Sequence, residues 1–144
     1  ATRTDVNQTL EVLLADSDPA VTAFAHRLSG YLTENRLELR DPIFWTTSSP
    51  LWEMPDDLAA ELSKASLIIS KGDANYRRLL GDRLWDAQLP LSQILTYLPA
   101  PLLALRVIKS DLIVGMPAER MKLLYQIDPH WMINGKWGIM QAAL

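Results

Sequence analysis

At 144 residues, with 49% apolar and 22% charged side chains and a formal net charge of −3, the chain has the length and balance of one globular domain. Its basic residues are scattered, so neither nucleic acid nor a membrane is an expected partner, and no apolar run approaches the roughly 18 residues of a membrane span. Cysteine is absent, which excludes disulfides, thiolate metal ligands and a thiol nucleophile together and fits a reducing, cytoplasmic setting.

The opening residues, Ala1-Thr2-Arg3-Thr4-Asp5, carry neither a signal-peptide pattern nor an initiator Met, and read as the interior of a longer protein. Val6, Leu10, Leu13 and Leu14 repeat at helical spacing and predict a helix over 5–16. Asp18-Pro19 is a cap followed by a first-turn proline. Behind it, Val21, Phe24, Ala25, Leu28, Tyr31 and Leu32 form one stripe, the clearest amphipathic helix of the chain, ending near Asn35. Leu37 to Arg40 alternates and predicts a short strand. Asp41 to Met54 reads as a long loop whose aromatics Phe44, Trp45 and Trp52 argue against disorder.

Pro55 starts another helix, with Leu58, Leu62 and Ala65 on one face. Ser66 to Ser70 is a short continuous apolar run of the kind buried on both faces of a sheet. Lys71 to Asn75 makes a turn, Tyr76 to Leu80 returns to helix, and Pro90 to Leu98 predicts a short helix. Leu102 to Ile108 is a second apolar strand, followed by the charged turn Lys109-Ser110-Asp111. Pro117 begins a last helix with Leu123, Leu124 and Ile127, and Gly135 to Met140 predicts a closing strand. Strands alternating with helices indicate an α/β fold with a parallel sheet. Five tryptophans spread along the chain predict a single unit.

Chemistry is expected at the strand ends. In open parallel sheets, ligands bind beyond the carboxyl ends of the strands. A helix start there offers backbone N–H groups to an anion, Gly72 permits a sharp turn, Lys71 and Arg77 bring positive charge, and Asn75 both donates and accepts. A plainer alternative stays open, with Asp73 or Asn75 capping the helix and Arg77 on the surface. Arg106 and Lys109 end the second strand. Three residues apart, they face opposite ways on a regular strand and converge only if the strand stops between them. A lysine stretched toward solvent is the plainer reading. With both turns on one sheet edge, Lys71, Arg77 and Lys109 would surround one phosphate, the electrostatic clamp that phosphoryl transfer uses.

Other residues carry less. His26 and His130 are not at metal-ligand spacing, so zinc is not expected. Asp56-Asp57 sits at a helix start, where it favours the dipole. Ser48 and Ser49 have no neighbouring base, and neither a Walker phosphate loop nor a dinucleotide fingerprint occurs. The Trp45 to Trp52 loop is either a lid or sugar-facing wall or, more commonly, plain packing.

The run Ser70-Lys71-Gly72-Asp73-Ala74-Asn75-Tyr76-Arg77-Arg78-Leu79, followed by Gly81-Asp82-Arg83, resembles the KGDxNYRkLxGDR signature of the metal-dependent damage-control phosphatases, also called the acidic-residue methyltransferase-like metal-binding domain family. Pro99-Ala100-Pro101 leading to Leu105-Arg106-Val107-Ile108-Lys109 is similar to its Pro-Ala-Pro…Arg-Thr-x-Lys segment, with Val107 in place of Thr. Trp137 to Gln141 resembles its C-terminal end, and Phe44-Trp45…Trp52-Glu53-Met54-Pro55 also looks like part of the family.

The resemblance implies a three-layer α/β/α Rossmann-like parallel sheet, of which residues 1–144 form the C-terminal part. It implies hydrolysis of sugar phosphates such as fructose 1-phosphate or fructose 6-phosphate. Asp73, Ala74, Asn75, Tyr76 and Arg77 would line the substrate site with Lys71, Lys109 would contact the phosphate, and Arg106 would support that wall. The family's divalent metal (manganese, cobalt, nickel or magnesium) is held by an Asp-Asn pair and a later Asp, all upstream of the matched region, and no Asp-Asn dipeptide occurs here. No residue of this chain is therefore expected to hold the metal or to act as catalyst, and the chain alone is expected to be inactive. An N-terminal part or another chain is expected to complete the site. The alternatives are a non-catalytic fragment or assembly module, and an O-methyltransferase acting on protein glutamate, which the family has also been held to be.

Overall fold

The computed structural model describes residues 2–144. The chain divides into two compact units, one ending at Thr47 and one running from Ser48 to Leu144. The tryptophans divide with them: Trp45 lies in the first unit and the other four in the second, so they do not tie the chain into the single unit expected.

The first unit is a helical hairpin of α1 (Arg3–Leu14) and α2 (Pro19–Thr33). Helix α1 starts two residues earlier than its apolar spacing predicts because Thr2 and Asp5 form a capping box, each side chain bonding the other's backbone N–H. Asp18 caps α2 and Pro19 occupies its first turn, as predicted. The centre of the α2 stripe is the fully buried Ala25, while Phe24 stays 44% exposed beneath the Arg27 guanidinium. Leu37 to Arg40 forms no strand: the residues are irregular, Arg40 reaches back to Glu38 at 2.7 Å, and no ladder partner fixes the alternation.

The second unit contains α3 (Asp56–Leu62), β1 (Ile68–Lys71), α4 (Asp73–Leu79), α5 (Leu91–Ile94), β2 (Leu102–Val107), α6 (Ala118–Ile127) and β3 (Gly138–Ala143). The described residues are thus a mixed α/β fold of six α-helices and one three-stranded sheet, ordered β1-β2-β3. Strands β1 and β2 run parallel, Ile68 opposite Leu102. Against the all-parallel expectation, β3 runs antiparallel to β2, Val107 opposite Gly138. The cause is the return path. Gly135 N–H donates to Ile108 O at 3.1 Å and Ile108 N–H to Trp137 O at 2.8 Å, so the chain re-enters the sheet at the end where it left and must run back.

One face of the sheet is covered. Helix α4 packs on β1 and β2, and α5 on β3; Leu102, Ala104, Tyr76, Leu79 and Leu91 are buried. The other face is open. Ile69, Val107 and Met140 are 61%, 45% and 76% exposed, which corrects the expectation that the first apolar strand is buried on both faces. A second core of Ile108, Ile113, Met116, Trp131 and Met132 lies under the loop that leads back to β3. Asp128 ties that loop: it accepts from Trp137 Nε1 at 2.9 Å and Asn134 Nδ2 at 2.7 Å, and these bonds hold its carboxyl below the usual range.

Candidate functional site

Because β1 and β2 are parallel, their carboxyl ends share one edge, with Lys71 opposite Leu105. Gly72 extends the ladder by one bond, N–H to Leu105 O at 2.8 Å, and then turns at φ +106°, a value that favours glycine. Helix α4 therefore starts at Asp73, directly after the strand, rather than at Tyr76. The turn after β2 lies beside it: Lys109 N–H and Ser110 Oγ both approach Asp73 Oδ1 at 3.4 Å. An open cavity of ≈ 530 Å³ lies between the turns, with Lys71, Gly72, Asp73, Arg106, Lys109 and Met140 among its lining. The two turns picked out in the sequence thus meet in one place.

Strand β2 ends at Val107, between the two cations. Arg106 faces the covered side and its side chain is fully buried. Its guanidinium donates to Leu112 O at 2.6 Å, to Ser110 O at 3.1 Å and to Ser110 Oγ at 3.3 Å. It pairs with Asp73 Oδ1 at 2.8 Å and lies 4.2 Å from the Tyr76 ring centre. Burial lowers the affinity of Arg106 for its proton, and the Asp73 charge opposes that loss. Lys109 is exposed, its stem running beside Gly135.

The remaining predicted residues divide by their surroundings. Lys71, Ala74 and Asn75 are exposed, and Asn75 Nδ2 donates to Lys71 O at 2.8 Å, tying the turn to itself. Tyr76 is 1% exposed and belongs to the core: its hydroxyl donates to Gln141 Oε1 at 2.8 Å, and burial raises its pKa. Arg77 Nε donates to Asp82 Oδ1 at 2.7 Å, and these bonds depress the Asp82 carboxyl. Arg77 lines a separate hollow of ≈ 520 Å³ with Asp82, Ser110 and Asp111, and Lys109 borders both hollows. Of the expected triad of cations, the first cavity gathers Lys71 and Lys109. Helix α4 has seven residues, so the charge in this place comes from side chains more than from a helix dipole.

Three contributors were named in the sequence only as members of longer runs, with no role of their own: Ser110 in the charged turn after the second strand, Gln141 at the end of the Trp137 to Gln141 stretch and Gly81 in the Gly81-Asp82-Arg83 run. At Gly81 a Cβ would fall 1.6 Å from a ring carbon of Trp52, and φ is +64°. Trp52 also stands edge-on to Tyr97 at 6.0 Å and under Arg83 at 5.1 Å, so this tryptophan of the long loop is packed. The residues do not fit the divalent ion that the resemblance implies. Among the described residues no three His, Asp or Glu side chains form a metal-holding group, and Asp73, the carboxylate on the cavity wall, is already paired with Arg106.

A model of the damage-control phosphatase ARMT1-like domain matches residues 1–124. Among curated relatives, damage-control phosphatase ARMT1 of Mus musculus is 38% identical over 97% of this chain and 33% of its own length. The Rattus norvegicus protein of that name is 42% identical over 77% of this chain and 26% of its own length. That of Xenopus laevis is 37% identical over 99% and 33%. The chain spans about a third of the length of the relatives it matches along nearly its whole extent.

Proposed function

The chain belongs to the damage-control phosphatase ARMT1-like domain family, and on that premise we propose that it supplies the phosphate and sugar contacts of a phosphatase acting on sugar phosphates such as fructose 1-phosphate or fructose 6-phosphate. The observation that carries this reading is a cavity shared by the carboxyl ends of two parallel strands and bordered by both Lys71 and Lys109. Two exposed ammonium groups there suit a dianionic phosphate. They would hold the phosphoryl oxygens and offset the charge that gathers on them during transfer. Asn75, exposed at the same edge, can give or take a hydrogen bond with a sugar hydroxyl. A divalent ion, manganese, cobalt, nickel or magnesium, is proposed to be held by residues beyond those described here. A further helical layer from the same source would cover the open sheet face and complete a three-layer fold.

The test uses the longer protein. Release of phosphate from fructose 1-phosphate and fructose 6-phosphate is followed with each of the four metals. Lys109→Ala is expected to lower kcat/KM by about 10²-fold, the scale seen when one charge-stabilising donor is removed, while Lys122→Ala on α6 leaves it unchanged. Absence of turnover with every metal removes the reading.

A further inference from the structure

We propose that Arg106 is a positioning residue whose guanidinium never meets the ligand: with Asp73 it forms an internal latch that fixes the Lys109 turn against the start of α4. This rests on the reading of Lys109 as a phosphate contact. Arg106 alternates with Leu102 and Ala104 on the covered face, and its side chain is 0% exposed. Its Nε is the one nitrogen of the group without a partner, and it too is buried, so no atom of the guanidinium is open to a ligand oxygen.

The bonds it makes run to the chain just beyond Lys109. Two backbone carbonyls, of Ser110 and Leu112, accept from it. Asp73 Oδ1 closes the ring, pairing with Arg106 at 2.8 Å while facing the Lys109 N–H and the Ser110 hydroxyl at 3.4 Å. Tyr76 covers the guanidinium face at 4.2 Å. A charge this deep is tolerable only when its partners are fixed, and here those partners are the two turns that flank the cavity. The Arg106 and Asp73 charges offset each other, so the net positive charge at the rim is that of Lys71 and Lys109. Arg106 thus sets where Lys109 stands without adding to the charge it presents.

A double-mutant cycle in the longer protein separates positioning from contact. The affinity for inorganic phosphate is measured by calorimetry for the natural protein, Arg106→Lys, Lys109→Ala and the double variant. Each single change is expected to weaken binding, by about tenfold for Lys109→Ala, a difference the method resolves. The double variant is expected to bind no more weakly than Lys109→Ala alone, because residues that act as one unit are non-additive. Losses that add, or an Arg106→Lys protein that binds as before, overturn the proposal. Should Arg106→Lys fail to fold, Asp73→Asn breaks the latch from its other end and enters the same cycle. Should the natural protein take up no phosphate, the phosphate reading itself fails, and amide hydrogen exchange over 109–112 then decides the latch. Faster exchange in Arg106→Lys or Asp73→Asn supports it, and unchanged exchange overturns it.

Discussion

Alternate residues of the same three strands meet opposite surroundings. On the face under α4 and α5, Leu102 is 1% and Ala104 2% exposed. Polar groups there pair with one another: Gln141 takes the Tyr76 hydroxyl at 2.8 Å and gives its amide to Val114 O at 2.6 Å, and Arg106 holds Asp73, although its Nε has no partner. On the opposite face, Ile69, Val107 and Met140 have no such cover. The polar groups that support the cavity belong to the sealed side, and the apolar groups of the open side are exposed. The two sides therefore answer different needs, one fixing the turns and the other offering surface.

The sharpest way to break this comparison is in the core. Leu102→Ala removes a side chain sealed under the helices, and is expected to destabilise the chain by about 2–5 kcal/mol in urea unfolding. A loss below about 1 kcal/mol, the size of a surface change, would mean that the covered face is not the principal core. Tyr76→Phe is subtler. It keeps the ring beneath Arg106 but leaves Gln141 Oε1 without the hydroxyl, at an expected loss of about 1–2 kcal/mol. Since burial raises the Tyr76 pKa, the hydroxyl stays protonated and donating through neutral and mildly alkaline pH, and the loss should be constant between pH 6 and about pH 9.

Much of this was legible in local pattern. The turn at Gly72 and both strands beside it follow from apolar runs and one glycine, whereas the period of two left the relation of Arg106 to Lys109 open, because it holds only along a strand and β2 ends at Val107 between them. The partners of Arg106 were not legible, because Asp73 reaches it across a parallel strand pair, and nothing in the sequence around either residue records that pairing. Strand direction was equally hidden. A closing strand was expected over Gly135 to Met140 and forms three residues later, over Gly138–Ala143, but its sense was not legible and is decided by the bonds of Ile108 and Gly135 at the return. The run Ser66 to Ser70 misled because a continuous apolar segment looks the same whether its second face is covered or bare. The helix expected over Pro90 to Leu98 shrank to Leu91–Ile94. Pro90 still opens it, but its span was set by packing, with Leu91, Ile94 and Leu95 buried together.

The smallest expected effect carries the most information about the open face. Met140 stands 76% exposed opposite Leu105, on the rim of the cavity. In this chain, Met140→Gln exchanges one solvated side chain for another, and its stability should move by less than about 0.5 kcal/mol. In the longer protein proposed above, the same change tests whether a layer lies above the sheet. A covering layer would force the glutamine amide out of water, and the loss should rise to about 1–3 kcal/mol. Matching small losses in both would leave the face bare in each. A large loss in the short chain alone would contradict its open face directly, since a residue already in water has no desolvation left to suffer.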